Sequence, residues 1–355
     1  MCLNRNIRIH PIPNSWYRVC FSKDLRPGEV KPLRYFNKDL VLFRTESGEA
    51  RVFDAHCRHL GAHLGHGGKV TGEGIQCPYH GWIWDKEAHC SHVPYPHTGC
   101  NPTVKIGKWP VSEHNGTIYT YYDSEGHPPT WEMPKFPEFY SGEWVSAIQI
   151  YKRDVTCSIQ EIAENNSDTA HFSHLHGARF GKVLHESLEF DGLNRTHIAA
   201  YEIEIPILSK LLGIDEFHTT YQQYGLGCNR NIVFLKAKGK KVLEWRLICM
   251  HTPIDKHNAE ALCITKLKKF INIPITRFIV ELLTKKACEE VDKDAMVWDN
   301  KVYLEHPPLY KEEHSISQFR EWCQNFYSEV DKQELAKWKL DKTEQTRAIP
   351  ALPRS

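Results

Sequence analysis

Between Cys57 and Asp85 the chain reads CRHLGAHLGHGGKVTGEGIQCPYHGWIWD, and this stretch limits its folding most strongly. It holds two Cys–His pairs: Cys57-x-His59, then seventeen residues, then Cys77-x-x-His80. Two thiolates and two imidazoles suit either a structural zinc ion or a [2Fe–2S] centre whose cysteines hold one iron and whose histidines hold the other. Each half mixes Cys and His, whereas zinc fingers more often pair like with like, so the two-iron cluster is favoured. The glycines Gly61, Gly65, Gly67, Gly68, Gly72, Gly74 and Gly81 let backbone pack close to inorganic sulfide. Imidazoles in place of thiolates would raise the reduction potential to roughly −150 mV or above.

The string Cys77-Pro-Tyr-His-Gly-Trp82 resembles the Rieske fingerprint of ring-hydroxylating oxygenases. That resemblance makes Cys57, His59, Cys77 and His80 the cluster ligands. The histidines His56, His63, His66, His89, His92 and His97 then read as surface or hydrogen-bonding residues, because only two can complete a cluster. Cys90 and Cys100 lack paired spacing and read as ordinary thiols.

Short runs rich in Val, Leu, Tyr and Phe flank the motif. Trp16–Cys20, Pro32–Phe36, Leu40–Thr45, Ala50–Asp54, Val104–Lys108 and Thr117–Tyr122 are expected as strands of a small all-β domain, with the ligand pairs on loops at its end. The turn-rich Gly126-His-Pro-Pro129 marks its boundary. A strand is expected from Trp144 to about Val155, then helix through Ser158–His176. His197–Ile205, Asn231–Lys236, Val242–Met250 and Ala261–Lys266 alternate apolar and polar and are expected as long antiparallel strands. Ile207–Phe217 and Tyr221–Leu226 read as apolar or aromatic loops at a pocket entrance, or as core or subunit contacts.

A second constellation lies in the helical stretch: Asn165-x-x-Asp168-x-x-His171-x-x-x-x-His176. Two imidazoles and one carboxylate on one face of an iron make the facial triad of non-haem Fe(II) oxygenases. His171 and His176 are five apart, so the helix must end or distort between them. Asp168 and His171, three apart, would share a face. Spacing leaves His174 open as a competing ligand.

Both motifs, in this order, resemble the oxygenase component of Rieske non-haem iron oxygenases. The resemblance implies that His171 and His176 bind iron, that Asp168 bridges to a cluster histidine of a neighbouring subunit, and that Asn165 lies near the iron. A third ligand is implied on a late helix, where Glu289, Glu290, Asp292 and Asp294 compete. Asp294 is chosen because Asp294-x-x-x-Trp298-x-x-Lys301-x-Tyr303 is similar to the steroid-oxidising members. The strings Ala170-His-Phe-x-His-Leu-His176 and Phe319-Arg-x-Trp-x-x-x-Phe-Tyr327 are similar to those of 3-ketosteroid 9-alpha-hydroxylases and cholesterol 7-desaturases.

The implied architecture is α+β: an all-β Rieske [2Fe–2S] domain at 12–128, a helix-grip (START-like) catalytic domain with a curved antiparallel sheet at 129–330, and a mobile tail at 331–355. The implied activity is O2-dependent hydroxylation or desaturation of a hydrophobic alicyclic substrate, foremost a steroid or sterol. It would use a [2Fe–2S] cluster and mononuclear Fe(II), with electrons from NAD(P)H through a reductase or ferredoxin, in a homotrimer. An aromatic or natural-product substrate is the alternative within this class, and a zinc-stabilised lipid-binding module the alternative outside it.

Composition agrees. The 355 residues allow two sizeable cores, and a formal charge of +1 gives no reason to expect a nucleic-acid partner. Scattered cysteines and a start without a long apolar run suggest a reducing compartment, read as cytoplasmic, with no secretory signal or N-terminal anchor. Phe270–Leu283 is the longest apolar stretch; it is too interrupted to span a bilayer and reads as a loop entering a core helix, or as a surface that takes a lipid-like substrate from a membrane. Ile316, Phe319, Trp322, Phe326 and Val330 fall near helical spacing and are expected to pack a terminal helix on the core.

Overall fold

The computed structural model describes residues 10–333 apart from 97–98, 102, 169, 178–179, 204–212 and 311–312. His97, the start of the Ile207–Phe217 stretch, and 334–355 of the tail therefore lie outside the described residues.

The N-terminal part contains three small antiparallel sheets, not one. Ser15–Phe21, Thr117–Tyr122 and Val111–His114 form the first. Val30–Tyr35, Lys38–Arg44, Ala50–Asp54 and Lys108–Trp109 form the second. Lys69–Thr71, Gly74–Gln76, Ile83–Trp84 and Cys90–His92 form the third. The expected strand Val104–Lys108 shrinks to Lys108–Trp109, and Lys105 makes only an isolated bridge to His89. Trp84, Phe43, Phe53, Leu64 and both motif cysteines share one core between the second and third sheets.

The C-terminal part is built on a nine-stranded antiparallel sheet. Its path runs Trp144–Ser146, Ala259–Lys268, Lys240–Met250, Cys228–Ala237, Ile214–Tyr224, Asn194–Ile203, Phe180–Asp191, with Tyr151–Val155 and Thr252–Pro253 also paired to Ala259–Lys268. The single strand expected from Trp144 to Val155 is two, because the chain leaves the sheet between them. There Glu281 of the long helix accepts from the backbone N–H of Ile148 at 2.7 Å. Ile214–Tyr224 is a strand where loop was expected around Phe217 and Tyr221. Its paired polar residues, Thr219-Thr220 and Gln222-Gln223, hide the two-residue alternation.

A long helix, Ile273–Trp298, lies across this sheet. Asn272 caps it by accepting from Ile275 N–H at 3.2 Å, and Pro274 sits in the first turn, where its missing donor costs nothing. Thr276, Val280, Thr284, Val291, Ala295 and Trp298 recur at three-, four- and seven-residue steps and are buried. Val280 packs on Leu267 and Val145, while Val291, Ala295 and Trp298 join the main core. The other face of the first turns is exposed: Ile275, Phe278 and Leu282 are 46%, 63% and 52% accessible, so the core-helix expectation holds for only one side.

The terminal helix ends at Cys323, earlier than expected. Ile316, Phe319 and Trp322 are buried on it and Phe326 in the 3-10 turn after it, whereas Val330 is exposed. The same core cluster contains Tyr17 and Phe36 from the N-terminal part and Tyr151, Val155 and Phe319 from the C-terminal part. One hydrophobic core thus ties the two parts together.

Candidate metal centres

Two loops of like construction present the first set of residues. In one, Gly61 N–H donates to the Cys57 carbonyl at 2.9 Å and Cys57 N–H to the Ala62 carbonyl at 2.9 Å. In the other, Gly81 N–H donates to Cys77 at 3.1 Å and Cys77 N–H to Trp82 at 2.8 Å. Gly61 and Gly81 close these turns at φ +74° and +72°, where a side chain would be strained. Both cysteines are buried, while His59 and His80 are partly exposed. The imidazoles lie edge to face with centroids 4.6 Å apart, and Trp82 stacks on His59 at 4.6 Å. Burial pushes the Cys57 thiol up and the adjacent Cys77 adds to this, a mutual repulsion that coordinated cations would reverse. His59 Nδ1 is buried without a hydrogen-bond partner among the described residues, which fits a metal ligand.

The second set begins at a serine N-cap. Ser158 Oγ accepts from Glu161 N–H at 3.3 Å and starts the buried helix Ile159–Glu164. The chain tightens to a 3-10 turn at Asn165–Ser167, becomes extended at Asp168, and restarts as a short helix at His171–His174. The restarted helix ends at His174, between His171 and His176 as expected, but the stretch breaks once more at Asp168, which lies outside any helix. Its Oδ1 accepts from the N–H groups of Ala170 and His171 at 3.0 and 3.3 Å, satisfying donors at the restart. His171 Nδ1 meets the Asp168 carbonyl oxygen at 2.5 Å, so the ring's other nitrogen points away.

That other nitrogen, His171 Nε2, faces Asn165 Nδ2 at 3.4 Å and Asp294 Oδ1 at 3.8 Å. His176 Nε2 stands 3.2 Å from the same Asp294 oxygen. Donor atoms of His171, His176 and Asp294 all lie within 4.8 Å of one another. Asp294 Oδ1 is buried and accepts no hydrogen bond among the described residues, and a buried carboxylate oxygen between two imidazoles suits a divalent cation. The competitors go elsewhere. His174 is exposed and its Nδ1 contacts the Ala170 carbonyl. Asp292 accepts from Tyr151 and Arg153, and Glu289 meets Lys286.

Sequence reasoning gave Glu290 no role beyond that of a rival ligand. Its Oε2 takes a hydrogen bond from His176 Nδ1 at 2.8 Å. Burial opposes the charge on Glu290, but Lys286, Lys293 and His176 outweigh it and hold the carboxyl down to about 2. Burial likewise pulls His176 down, but Asp294 and Glu290 together raise it above its ordinary value.

A cavity of about 260 Å³ opens onto this second set. Phe172, Phe217, Val233, Trp245 and Leu247 make its wall largely apolar. Two of its four asparagines, Asn229 and Asn231, alternate on one strand, are buried, and leave their Oδ1 atoms without partners among the described residues.

A small β domain presenting paired Cys–His loops, joined to a histidine–carboxylate group beside a nine-stranded antiparallel sheet and a long helix, is the architecture of a Rieske oxygenase. Residues 15–110 match the Rieske [2Fe-2S] domain and residues 120–327 the 3-ketosteroid 9alpha-hydroxylase C-terminal domain, so the chain belongs to that family of Rieske oxygenases. It is an oxidoreductase that works with a [2Fe–2S] cluster and non-haem iron. The chain is 32% identical to cholesterol 7-desaturase nvd of Xenopus laevis, over 89% of this chain and 72% of that one. It is 27% identical to the oxygenase component of 3-ketosteroid-9-alpha-monooxygenase of Rhodococcus rhodochrous, over 89% and 84%. The fold also matches apo dicamba monooxygenase, with TM-score 0.69 at 16% identity over 92% and 99% of the two chains. No described helix is long and apolar enough to cross a membrane.

Proposed function

We propose that this protein hydroxylates or desaturates a steroid or sterol with O2. The observation that carries the reading is the meeting of His171, His176 and Asp294 in the lining of a largely apolar cavity. In this reading Cys57, His59, Cys77 and His80 hold the cluster, and His171, His176 and Asp294 hold the iron. The bound metals supply electron storage and O2 activation. The chain's own residues place the substrate and keep water out. Phe172, Phe217 and Trp245 cover its apolar body, and Asn229 and Asn231 offer acceptors to a polar group such as a hydroxyl. The names of the desaturase and hydroxylase relatives support this substrate class over an aromatic one.

Asp168 links the centres in this reading. Its side chain is 35% exposed, and Oδ2 lies 3.8 Å from His171 Nδ1. The cluster histidines also face outward, beside the exposed Leu60 and Tyr79. A second copy docking its cluster loops against Asp168 would cover both surfaces, which supports a ring-shaped homotrimer. Asn165, on the iron side of His171, positions that ring. The division at 128/129 and a cytoplasmic setting belong to the same reading. The words "oxygenase component" in the name of the Rhodococcus relative support a separate reductase or ferredoxin, and NAD(P)H is its electron source in this reading.

The test is anaerobic electron paramagnetic resonance on dithionite-reduced protein, with metal analysis, followed by turnover of sterol, steroid and aromatic panels with a supplied reductase. A Rieske signal, about three irons per chain and product from a sterol or steroid are expected. Product from the aromatic panel alone would replace the substrate assignment. Zinc without the Rieske signal would overturn the assignment of Cys57, His59, Cys77 and His80.

A further inference from the structure

Two cysteines outside both metal sets line the same cavity. Cys249 lies on Lys240–Met250 and Cys263 on Ala259–Lys268, directly opposite each other in the antiparallel ladder. Opposed residues in such a ladder have Cα atoms about 4.5–5.5 Å apart, inside the roughly 4.4–6.8 Å range of disulfides. The Cys263 S–H donates to Cys249 Sγ at 2.8 Å, and both side chains are buried. His251 brings a ring nitrogen within 4.8 Å of both sulfurs.

Cysteine and histidine in such a group could also hold zinc. Two thiolates on one tetrahedral zinc, at about 2.3 Å each, would stand roughly 3.8 Å apart. The observed 2.8 Å is too close for that and needs less than about 1 Å of further approach to become a bond of about 2.05 Å. Among the described residues the group also has three donors, where a structural zinc takes four.

We propose that Cys249 and Cys263 are a peroxide-oxidised thiol pair, closing to a disulfide when hydrogen peroxide enters the iron cavity. Two-electron reduction of O2 that is not coupled to substrate supplies the peroxide, from the O2 and electrons this class of enzyme already uses. Cys249 sulfur attacks one peroxide oxygen and the O–O bond breaks, giving a sulfenic acid and one water. Cys263 sulfur then attacks Cys249 sulfur, and the S–OH bond breaks to release a second water. The two thiol protons leave in these waters, so two thiols and one peroxide give one disulfide and two waters.

The roles within the pair follow from the hydrogen bond. The Cys263 S–H, opposed by burial and assisted by His251, pulls Cys249 below the ordinary thiol value, which suits it as the attacking sulfur. Burial pushes Cys263 up, which suits it as the resolving thiol. The pair removes peroxide beside His171 and His176, and thiol reductants restore it.

The test uses the full-length, iron-loaded protein without reductase. It is treated with added hydrogen peroxide, denatured in iodoacetamide and digested with trypsin. Cleavage after Arg246, Lys256 and Lys266 puts Cys249 in peptide 247–256 and Cys263 in peptide 257–266, each with one cysteine. The expected product is the two peptides joined, lighter by two hydrogens than their sum and separated by dithiothreitol. In Cys263→Ala, the Cys249 peptide should instead carry a dimedone adduct of the sulfenic acid. The wild-type map decides alone if that variant does not fold. Both peptides alkylated after peroxide, Cys249 ending as sulfinic acid in the wild type, or one zinc per chain shielding both thiols would each overturn the proposal.

Discussion

Glu290 accepts a hydrogen bond from Nδ1 of His176 at 2.8 Å, on the side of the ring opposite Asp294. A proton held on Nδ1 leaves the Nε2 lone pair directed at Asp294, where a cation would sit. Glu290 and Asp294 are four residues apart on one helix, so in the proposed site one turn would both orient a histidine and supply the acidic ligand. Replacing Glu290 with Ala should weaken Fe(II) binding by about 10–100-fold while leaving the Rieske signal intact. Fe(II) titration of iron-depleted protein measures this, and an unchanged affinity would remove Glu290 from the site.

The same contacts set a pH dependence. Asp294 and Glu290 raise His176 against burial, so in iron-free protein the protonated ring stabilises the fold at acid pH. That contribution is fully present below the ordinary value near 6.5 and is lost as pH rises through the raised one. Iron needs the neutral ring, so Fe(II) affinity should fall as pH drops below the raised value. In Glu290→Ala the midpoint should move to lower pH. Titrations across pH 6–8 would show this, and a shift in the opposite direction would contradict it.

Asp168→Asn should retain both metals and cluster reduction, because its Oδ1 capping bonds can be made by an amide oxygen. Product formation should still fall by about 10²-fold, the scale of a misplaced group in a reaction path. Stopped-flow oxidation of the reduced cluster in the presence of substrate and O2 is the measurement. Wild-type rates in the variant would exclude Asp168 as the link.

Arg320 on the terminal helix grips Glu164 at 2.6 and 2.9 Å, immediately before Asn165. Glu164 is 8% accessible, so Arg320→Ala strands a buried carboxylate. A loss of about 3 kcal/mol is expected from urea unfolding. A loss below about 1 kcal/mol would class the pair with surface bridges.

Asn231→Val should raise the dissociation constant of a hydroxyl-bearing substrate by about tenfold, the worth of one lost neutral hydrogen bond. An analogue without the hydroxyl should bind both proteins alike. Equal losses for the two ligands would mean that the asparagine shapes the cavity and does not hold the polar group.

Local chemistry made part of this legible from the chain alone. Cys57, His59, Cys77 and His80 stand close in sequence, and their spacing with Gly61 and Gly81 already encodes two loops of one design. The strand Thr117–Tyr122 announced itself by its run of β-branched and aromatic residues, and the long antiparallel strands by apolar and polar residues mixed over runs of ten or so. The choice of Asp294 over Asp292 came from resemblance, since one acidic helix offers several carboxylates at similar spacing.

Tertiary structure decided what depends on faces meeting across a long separation. Which carboxylate stands between His171 and His176 depends on the rotation of Ile273–Trp298 on the sheet, which buries Asp294 and turns Asp292 outward to Arg153. The orienting role of Glu290 spans 114 residues and has no local signature. Cys249 and Cys263 became a pair only through strand register, because a slip of one residue would send one thiol to the opposite face. Spacing encodes loops and periods, whereas register and helix rotation are set by the packing of the whole core.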